Sequence, residues 1–547
     1  MKLQKHDQRF YQLLSRWMPM RIWICVMMFT ACWTSYACRL QMPILVVPMI
    51  KEQPINHTNS GVCVFDESTR RRRDIISIFD PGSYLEEYIL DRVEEEQDQK
   101  LHSLHRRQAT ASRTRTPDTR FEFFSNLPFD WTPTIRGQLL ASYSYGNVPG
   151  NFIGGWLALR YGPRYAVLWT AILSAILSLV SPFLAHCHWG LLLCSRVIIG
   201  ITTGVTFPAC HTMVAKWAPP HERARFIWSL LGGTFGTILT YPMIAAIAEN
   251  VNWESGWYLP SLLMLIWIII WALIAYDSPA EHPGITDEEK NYILTAQAGI
   301  VRTEKPKWKQ TPIRQIMTSI PFISLIICHF GNLFLLFFYQ NSLMLYLTKA
   351  LGFQLTQGGA AAGAPWGARM LFGFFFSWVG DTIKRKQIIS VTLLRKLATI
   401  FSHFLPGIFL ILVGYVGCDF VLANVFLFFA LGFNGAALIS NLSNNQDLAP
   451  NFAGFLYGIM NTIGTSSGMM IPPIVEEIAG KYGNPIDRWQ ILFWIGAAVC
   501  IGSMVVFLFG GSGNIQSWNE FRPLNEPKSD VEARQIELEP SNNVAQT

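Results

Sequence analysis

ITTGVTFPACHTMVAKWAPPHERARF, running from Ile201 to Phe226, decides how the rest of the chain is read. Its first part is apolar and rich in small residues, with one titratable group, His211, near the middle. It then breaks at Pro219-Pro220 into His221, Glu222, Arg223 and Arg225. An apolar run that ends in prolines and a basic turn is how a membrane span leaves the hydrocarbon on the cytoplasmic side, because short cytoplasmic loops carry the excess of Lys and Arg. Composition agrees. Of the 547 residues, 50% are hydrophobic and only 15% charged, against roughly 25% charged in a soluble domain. The missing charge must lie in long uncharged stretches.

Twelve such stretches are expected, each long enough to cross ~30 Å of hydrocarbon. They fall at 21–50, 134–159, 165–185, 189–217, 227–248, 256–276, 316–348, 356–380, 397–417, 421–440, 452–475 and 489–511. The first is too long for a cleaved signal peptide and lacks a small-residue cleavage site.

Lysine and arginine set the orientation. With residues 1–20 in the cytoplasm, the even-numbered turns hold Arg160 and Arg164, Arg223 and Arg225, and Lys384, Arg385, Lys386, Arg395 and Lys396. The opposite turns, near Cys187, Asn250 and Asp419, hold almost none. The layout is then an N-terminal half (21–276) with a long lumenal or extracellular loop at 51–129, a charged cytoplasmic loop (277–315), a C-terminal half (316–511) and a cytoplasmic tail (512–547). Asn56-His57-Thr58 is a sequon on the face where glycosylation occurs, so Asn56 is expected to make the chain a glycoprotein. The sequon at Asn441 falls on the cytoplasmic face and is expected to be silent. Six spans, a central loop and six more spans outline a two-halved transporter, an all-α membrane protein of twelve transmembrane helices.

The halves share a faint repeat. Gly154-Gly155-Trp156-Leu157-Ala158-Leu159-Arg160-Tyr161-Gly162-Pro163-Arg164 follows the second span, and Gly380-Asp381-Thr382-Ile383-Lys384-Arg385-Lys386 follows the eighth. Both resemble the loop signature of the major facilitator superfamily, in which a carboxylate and basic residues latch neighbouring helices. The resemblance implies latch roles for Gly155, Arg160, Asp381 and Arg385. Leu159 stands where that superfamily usually has Asp, which puts the first latch in doubt. Plain positive-inside flanks are the other reading.

A narrower likeness follows. Arg196, GVTFPACH (Gly204 to His211) and KWAPPHERAR (Lys216 to Arg225) resemble the organic anion transporters of the sialin, vesicular glutamate transporter and sodium–phosphate cotransporter family. So do Ala37-Cys38-Arg39-Leu40-Gln41, Arg395-Lys396-Leu397, Asp447 to Gly454, Trp489-Gln490 and Gly511 to Asn519. The likeness runs from the first span to Asn519 and omits the long loop. It implies the major facilitator fold, with Arg39 and Arg196 binding a substrate anion and His211 linked to protons.

The residues make a parallel case. Well inside the spans stand Arg39, Arg196, His211, His329, Arg369 and His403, and no Asp or Glu. Charged groups in hydrocarbon are costly and usually face a cavity with a partner. Arginines without a protein carboxylate point to an anion arriving from outside, since the guanidinium fork suits carboxylate or phosphate. The bland alternative is that carbonyl groups and water satisfy them. A lone helix histidine such as His211 is otherwise a structural hydrogen-bonding group.

Three positions depart from the glutamate-carrying members of the family. Thr203 stands where they have an acidic residue, Leu140 where they have a histidine and Asn332 where they have an arginine. Proton coupling and glutamate itself are thereby in doubt. Arg369 lies about as deep in span eight as Asn332 does in span seven, so it is the expected replacement cation. The expected substrate-binding set is Arg39, Arg196, Arg369 and Asn332.

Other functions find little support. Gly464-Thr465-Ser466-Ser467-Gly468 fits the G-x-S-x-G pattern of a hydrolase, but it lies inside a span with no strand before it, where small residues pack helices. The ten cysteines show no metal spacing, and nothing calls for a cofactor. Cys63 and Cys187 both face the oxidising side, and whether they pair is open, as is processing at Arg70 to Arg73. No nucleic-acid motif occurs, and the net charge of +6 is explained by the cytoplasmic loops.

The expected function is secondary transport of a small organic anion or phosphate-like solute across a lipid bilayer by alternating access, with H+ or Na+ as coupling ion. The alternatives are an uncoupled facilitative carrier and a transport-dead sensor or scaffold. No enzyme activity is expected. The sequence leaves plasma membrane and lysosomal or vesicular membrane equally open.

Overall fold

The computed structural model describes residues 17–50, 129–219, 226, 228–297, 312–449 and 452–519. The expected glycosylation site Asn56, the cysteine at Cys63 and the arginine run at Arg70 lie outside them. Among the described residues all regular structure is helical.

The N-terminal half holds α1 (Met20–Met49), α2 (Pro133–Tyr161), α3 (Pro163–Cys187), α4 (Trp189–Gly204) continued by α5 (Thr206–Trp217), α6 (Gly232–Asn250) and α7 (Ser255–Ile274). An amphipathic helix, α8 (Asp287–Gln297), follows in the central segment. The C-terminal half holds α9 (Ile320–Leu345), α10 (Leu355–Arg385), α11 (Val391–Thr399) and α12 (Leu405–Tyr415), α13 (Phe420–Asn434) and α14 (Asn441–Leu448), α15 (Ala453–Thr465) and α16 (Ser467–Ile478), and α17 (Ile486–Gly510). Joined across their breaks, the described helices cover all twelve expected spans. Eight of the passages are long and apolar enough by themselves to cross a bilayer.

Local chemistry sets the ends. Pro133 and Pro163 start α2 and α3, where a missing N–H costs nothing. The Asp419 carboxylate accepts the N–H groups of Val421 and Leu422 at 3.0 and 3.1 Å, capping α13. Glu289 on α8 does the same for α1, accepting from Met20 at 2.9 Å and Arg21 at 3.1 Å. The central segment is therefore tied to the first span. Gly162 turns α2 into α3 with φ +87°, and the Asp277 carboxylate fills the space where a Cβ would sit.

Small residues bring helices together where lipid offers no hydrophobic drive. On α2, Gly146 and Gly150 lie against the backbone of Val197 and Ile201 on α4. A side chain at either glycine would collide with it. This close approach sets Tyr143 beside Arg196.

Among the described residues, the polar contacts between the two halves are concentrated at one end of the bundle. Between described residues, the hydrogen bonds and ion pairs that join them run from Arg136 to Glu476 and Gly480, from Tyr241 to the carbonyls of Tyr339 and Gln340, and from Glu249 to the Thr356 N–H. Every residue of α1 from Cys38 to Val47 is buried, as is every residue from Phe337 to Leu347 at the end of α9. Between described residues, no hydrogen bond or ion pair of this kind is seen at the other end, which bears Arg164, Lys384 and Arg395. There His211, inside its span, is exposed. Among the described residues the bundle is bridged by polar groups at one end and not at the other.

Candidate functional site

Arg39 lies about two-thirds of the way along α1, just beneath the seal. Its guanidinium is enclosed by rings: Phe337 at 4.1 Å, Tyr143 at 5.3 Å and Tyr36 at 5.8 Å from the ring centroids. Ring faces hold a cation without using its N–H groups. Nε and Nη2 of Arg39 accordingly have no hydrogen-bond partner, although the side chain is only 7% exposed. This is an unused fork in a sheltered place.

Arg196 is placed differently from the expected two-arginine clamp. It is 1% exposed, and it donates from Nη1 to the Cys38 carbonyl (2.7 Å) and from Nη2 to the Arg39 carbonyl (3.0 Å). Backbone oxygens, the bland alternative for a buried arginine, take both of its terminal nitrogens. Rings of Tyr143 and Trp257 flank it at 5.5 Å each. Thr203, in the slot of the lost carboxylate, is hydrogen-bonded to the Tyr143 hydroxyl at 2.7 Å and donates to the Ile199 carbonyl at 2.6 Å. The Tyr143 ring that faces Arg39 is fixed by it.

The C-terminal half holds a third buried arginine. Arg369 on α10 donates from Nε to Asn434 Oδ1 at 3.0 Å, and Asn434 Nδ2 donates to Asn332 Oδ1 at 2.9 Å. The two positions paired from sequence depth are thus joined through one amide on α13. Tyr36, which faces Arg39, also meets the N-terminal half at the Phe207 ring, 6.0 Å away.

His211 stands on α5, beyond the break at Val205, and faces Tyr457 of the other half with ring centroids 6.2 Å apart. Tyr457 also faces His329 at 6.1 Å. Asn441 Oδ1 accepts from Ser440 Oγ at 3.1 Å, so its amide N–H points at His329 Nδ1, 2.9 Å away, and leaves the imidazole proton on Nε2. Asn441 is fully buried in this contact, which removes it as a glycosylation acceptor.

The expected latch residues do not make the latch. Arg160, Asp381 and Arg385 are exposed and form no ion pair with any described residue, and a Cβ on Gly155 would meet nothing within 4 Å. Other groups tie the open end. Asp277 accepts the Arg164 N–H at 2.7 Å, and Arg164 Nη2 donates to the Ala272 carbonyl at 2.7 Å. In the second half Asp447 binds Arg395 Nε at 2.7 Å and Lys384 at 3.4 Å. The repeat marked the right loops, but the carboxylates come from segments distant in sequence: Asp277 just past the end of α7, and Asp447 on α14. Cys187 carries a free thiol, so it is not half of a disulfide, whereas Cys418 is disulfide-bonded. Among the described residues no His, Cys, Asp and Glu group is arranged to hold a metal ion. The G-x-S-x-G glycines pack helices: Gly464 lies against Leu333 and His329, and Gly468 against Ser144 and Phe337.

Tyr36, Tyr143, Phe337, Asn434 and Tyr457 do not stand out in the sequence, where Asp, Glu, Lys, Arg and His are the residues that mark a site inside a span. Nor does the buried pair Arg136 and Glu476.

Comparison with known proteins agrees with this architecture. The family model described as Major Facilitator Superfamily matches residues 122–473. Vesicular glutamate transporter 2 of Homo sapiens is 30% identical over 403 residues, covering 73% of this chain and 69% of that protein. Sialin of Homo sapiens is 28% identical over 391 residues, covering 71% and 78%. Among solved structures, the inward open conformation of the xylose transporter XylE from E. coli aligns with a TM-score of 0.55 at 12% identity, over 94% of this chain and 99% of that one. That last likeness speaks for the fold alone.

Proposed function

This chain belongs to the major facilitator superfamily, and within it to the family of the vesicular glutamate transporters and sialin; from that premise we propose that it carries a small organic anion or phosphate-like solute across a membrane by alternating access. The observation that carries the reading is the unused fork of Arg39, buried in its ring of aromatics, with Arg369 as the cation of the opposite half. No carboxylate of the described residues contacts either. Acidic groups such as Asp277, Asp447 and Glu476 are engaged at the ends of the bundle.

Two buried cations without a protein counter-ion, one on each half, both favour an anion, and more strongly where water is scarce. An anion bound by both draws the halves together. It supplies the differential interaction that closure around substrate requires. With the basic end in the cytoplasm, this structure is the inward-facing state, sealed towards the lumen or exterior by the Arg136–Glu476 bridge.

Coupling is proposed to run through His211, the histidine exposed within its span. Thr203, where relatives in the family have an acid, favours a second reading, an uncoupled facilitative carrier. Uptake of labelled glutamate, sialate, urate and phosphate into proteoliposomes, with and without a proton or sodium gradient, tests both. Saturable uptake of one of these supports transport, its gradient dependence decides coupling, and no uptake of any would reject the reading.

A further inference from the structure

Pro43 carries no N–H, so the Arg39 carbonyl four residues earlier has no donor within its own helix. In a bilayer interior an unsatisfied carbonyl is costly unless a neighbouring helix provides for it. Arg196 provides for it, from α4, with one nitrogen on the Arg39 carbonyl at 3.0 Å and a second on the Cys38 carbonyl at 2.7 Å. The residue whose backbone is held in this way is the same one whose side chain offers the unused fork. Arg196 is the more deeply buried of the two, 1% exposed against 7% for Arg39, and both of its terminal nitrogens are engaged, which leaves only its Nε without a partner.

We propose that Arg196 is the positioning residue of the anion site: it fixes the turn of α1 that Pro43 leaves without its own hydrogen bond, and so aims Arg39 without touching substrate. The inference rests on the anion-carrier reading above and reassigns one of its arginines. A guanidinium is suited to the task because its planar fork spans two adjacent carbonyls, and it stays charged when buried. Arg39 and Arg196 are then unequal: one is a ligand and the other is the brace behind it.

The partnership with Pro43 makes this testable. Wild type, Arg196→Met, Pro43→Ala and the double variant are compared by uptake of labelled L-glutamate and sialate into liposomes, and by thermal unfolding in the absence of any anion. Losing a charge-assisted bond should raise KM for the carried probe by at least roughly tenfold in Arg196→Met. Alanine at 43 returns a helix N–H to the Arg39 carbonyl. In the double variant KM should therefore fall back to within about threefold of Pro43→Ala alone, and at least half of the melting loss should be recovered.

A KM that stays raised in the double variant while its melting recovers overturns the proposal and makes Arg196 an anion ligand. Melting that drops in Arg196→Met with KM unchanged also overturns it, because the brace then does nothing for Arg39. Should Arg196→Met fail to fold, Arg196→Lys and its Pro43→Ala double serve in the same comparison. If wild type takes up neither probe, KM is read with urate or phosphate instead; uptake of none of the four rejects the carrier reading, and the melting cycle still decides the partnership. An equal loss in both backgrounds rejects it.

Discussion

Arg136 on α2 and Glu476 on α16 form an ion pair of 2.9 Å that joins the two halves of the bundle. Arg136 also donates to the Gly480 carbonyl at 3.1 Å, and a side chain at Gly480 would collide with the Glu476 carboxylate. Both partners are nearly inaccessible, so the pair closes the sealed end. Breaking such a pair by removing one member costs about 3–5 kcal/mol, because the other charge is left buried alone.

Glu476→Gln and Arg136→Met are therefore expected to loosen the seal and shift the protein towards opening at that end. A cysteine introduced at Ser144, beneath the pair, should react faster with a membrane-impermeant thiol reagent applied from that side. The exchanged pair, Arg136→Glu with Glu476→Arg, should slow the reaction again. Unchanged labelling in the single variants would show that the seal does not depend on this pair.

Arg369 and Asn332 share the amide of Asn434. Arg369→Met should lower uptake at least tenfold, as expected for loss of a charge-assisted contact. Adding Asn332→Arg should restore part of it, since a guanidinium at 332 starts from the other side of the same amide. Normal uptake by Arg369→Met alone would assign the arginine a structural role.

His211 is exposed within its span and faces Tyr457 of the other half. If it carries the proton linkage, His211→Gln should flatten the dependence of uptake on mildly acid pH and leave the melting temperature unchanged. Proton-driven accumulation that survives in His211→Gln would place coupling elsewhere.

His282 lies outside the spans, buried between Trp217 and Tyr276 with ring centroids 5.7 and 4.7 Å away. Its Nδ1 accepts the Gly284 N–H at 3.0 Å. Burial pushes the imidazole down to about 4; the Ile274 backbone opposes this and the Arg164 charge adds to it. A depressed folded value favours the neutral ring. Its stability is therefore fully present above the ordinary histidine range and is lost as pH falls from about 6.5 towards 4. The contribution is on the order of 3 kcal/mol. Thermal unfolding followed across that window should show a steeper acid loss in wild type than in His282→Asn, and parallel curves would contradict it.

Much of the fold was legible because lipid imposes a compositional rule that a single sequence obeys. The span expected at 21–50 is the helix Met20–Met49, and the one expected at 134–159 is Pro133–Tyr161. Breaks at Val205 and Ser466 were not legible, since polar groups inside the bundle, unknown from sequence, decide where a helix is interrupted. Glu476 sits one residue past the expected end of its span, and Arg136 near the start of another. Each reads as interfacial until the fold brings them together. Backbone carbonyls leave no mark in a sequence, so Arg196 looked like a second ligand. The available hint was Pro43, four residues after Arg39. Asn434, an amide in the apolar run LGFNGAAL, was equally visible but is not ionisable.

The central claim is that Arg39 holds the transported anion. The most direct measurement is uptake of the carried anion by purified wild type and Arg39→Lys in liposomes, with melting curves to confirm that both are folded. Lysine keeps the charge but not the fork, so KM should rise at least roughly tenfold with folding intact. A folded Arg39→Lys protein with wild-type KM and rate would contradict the claim.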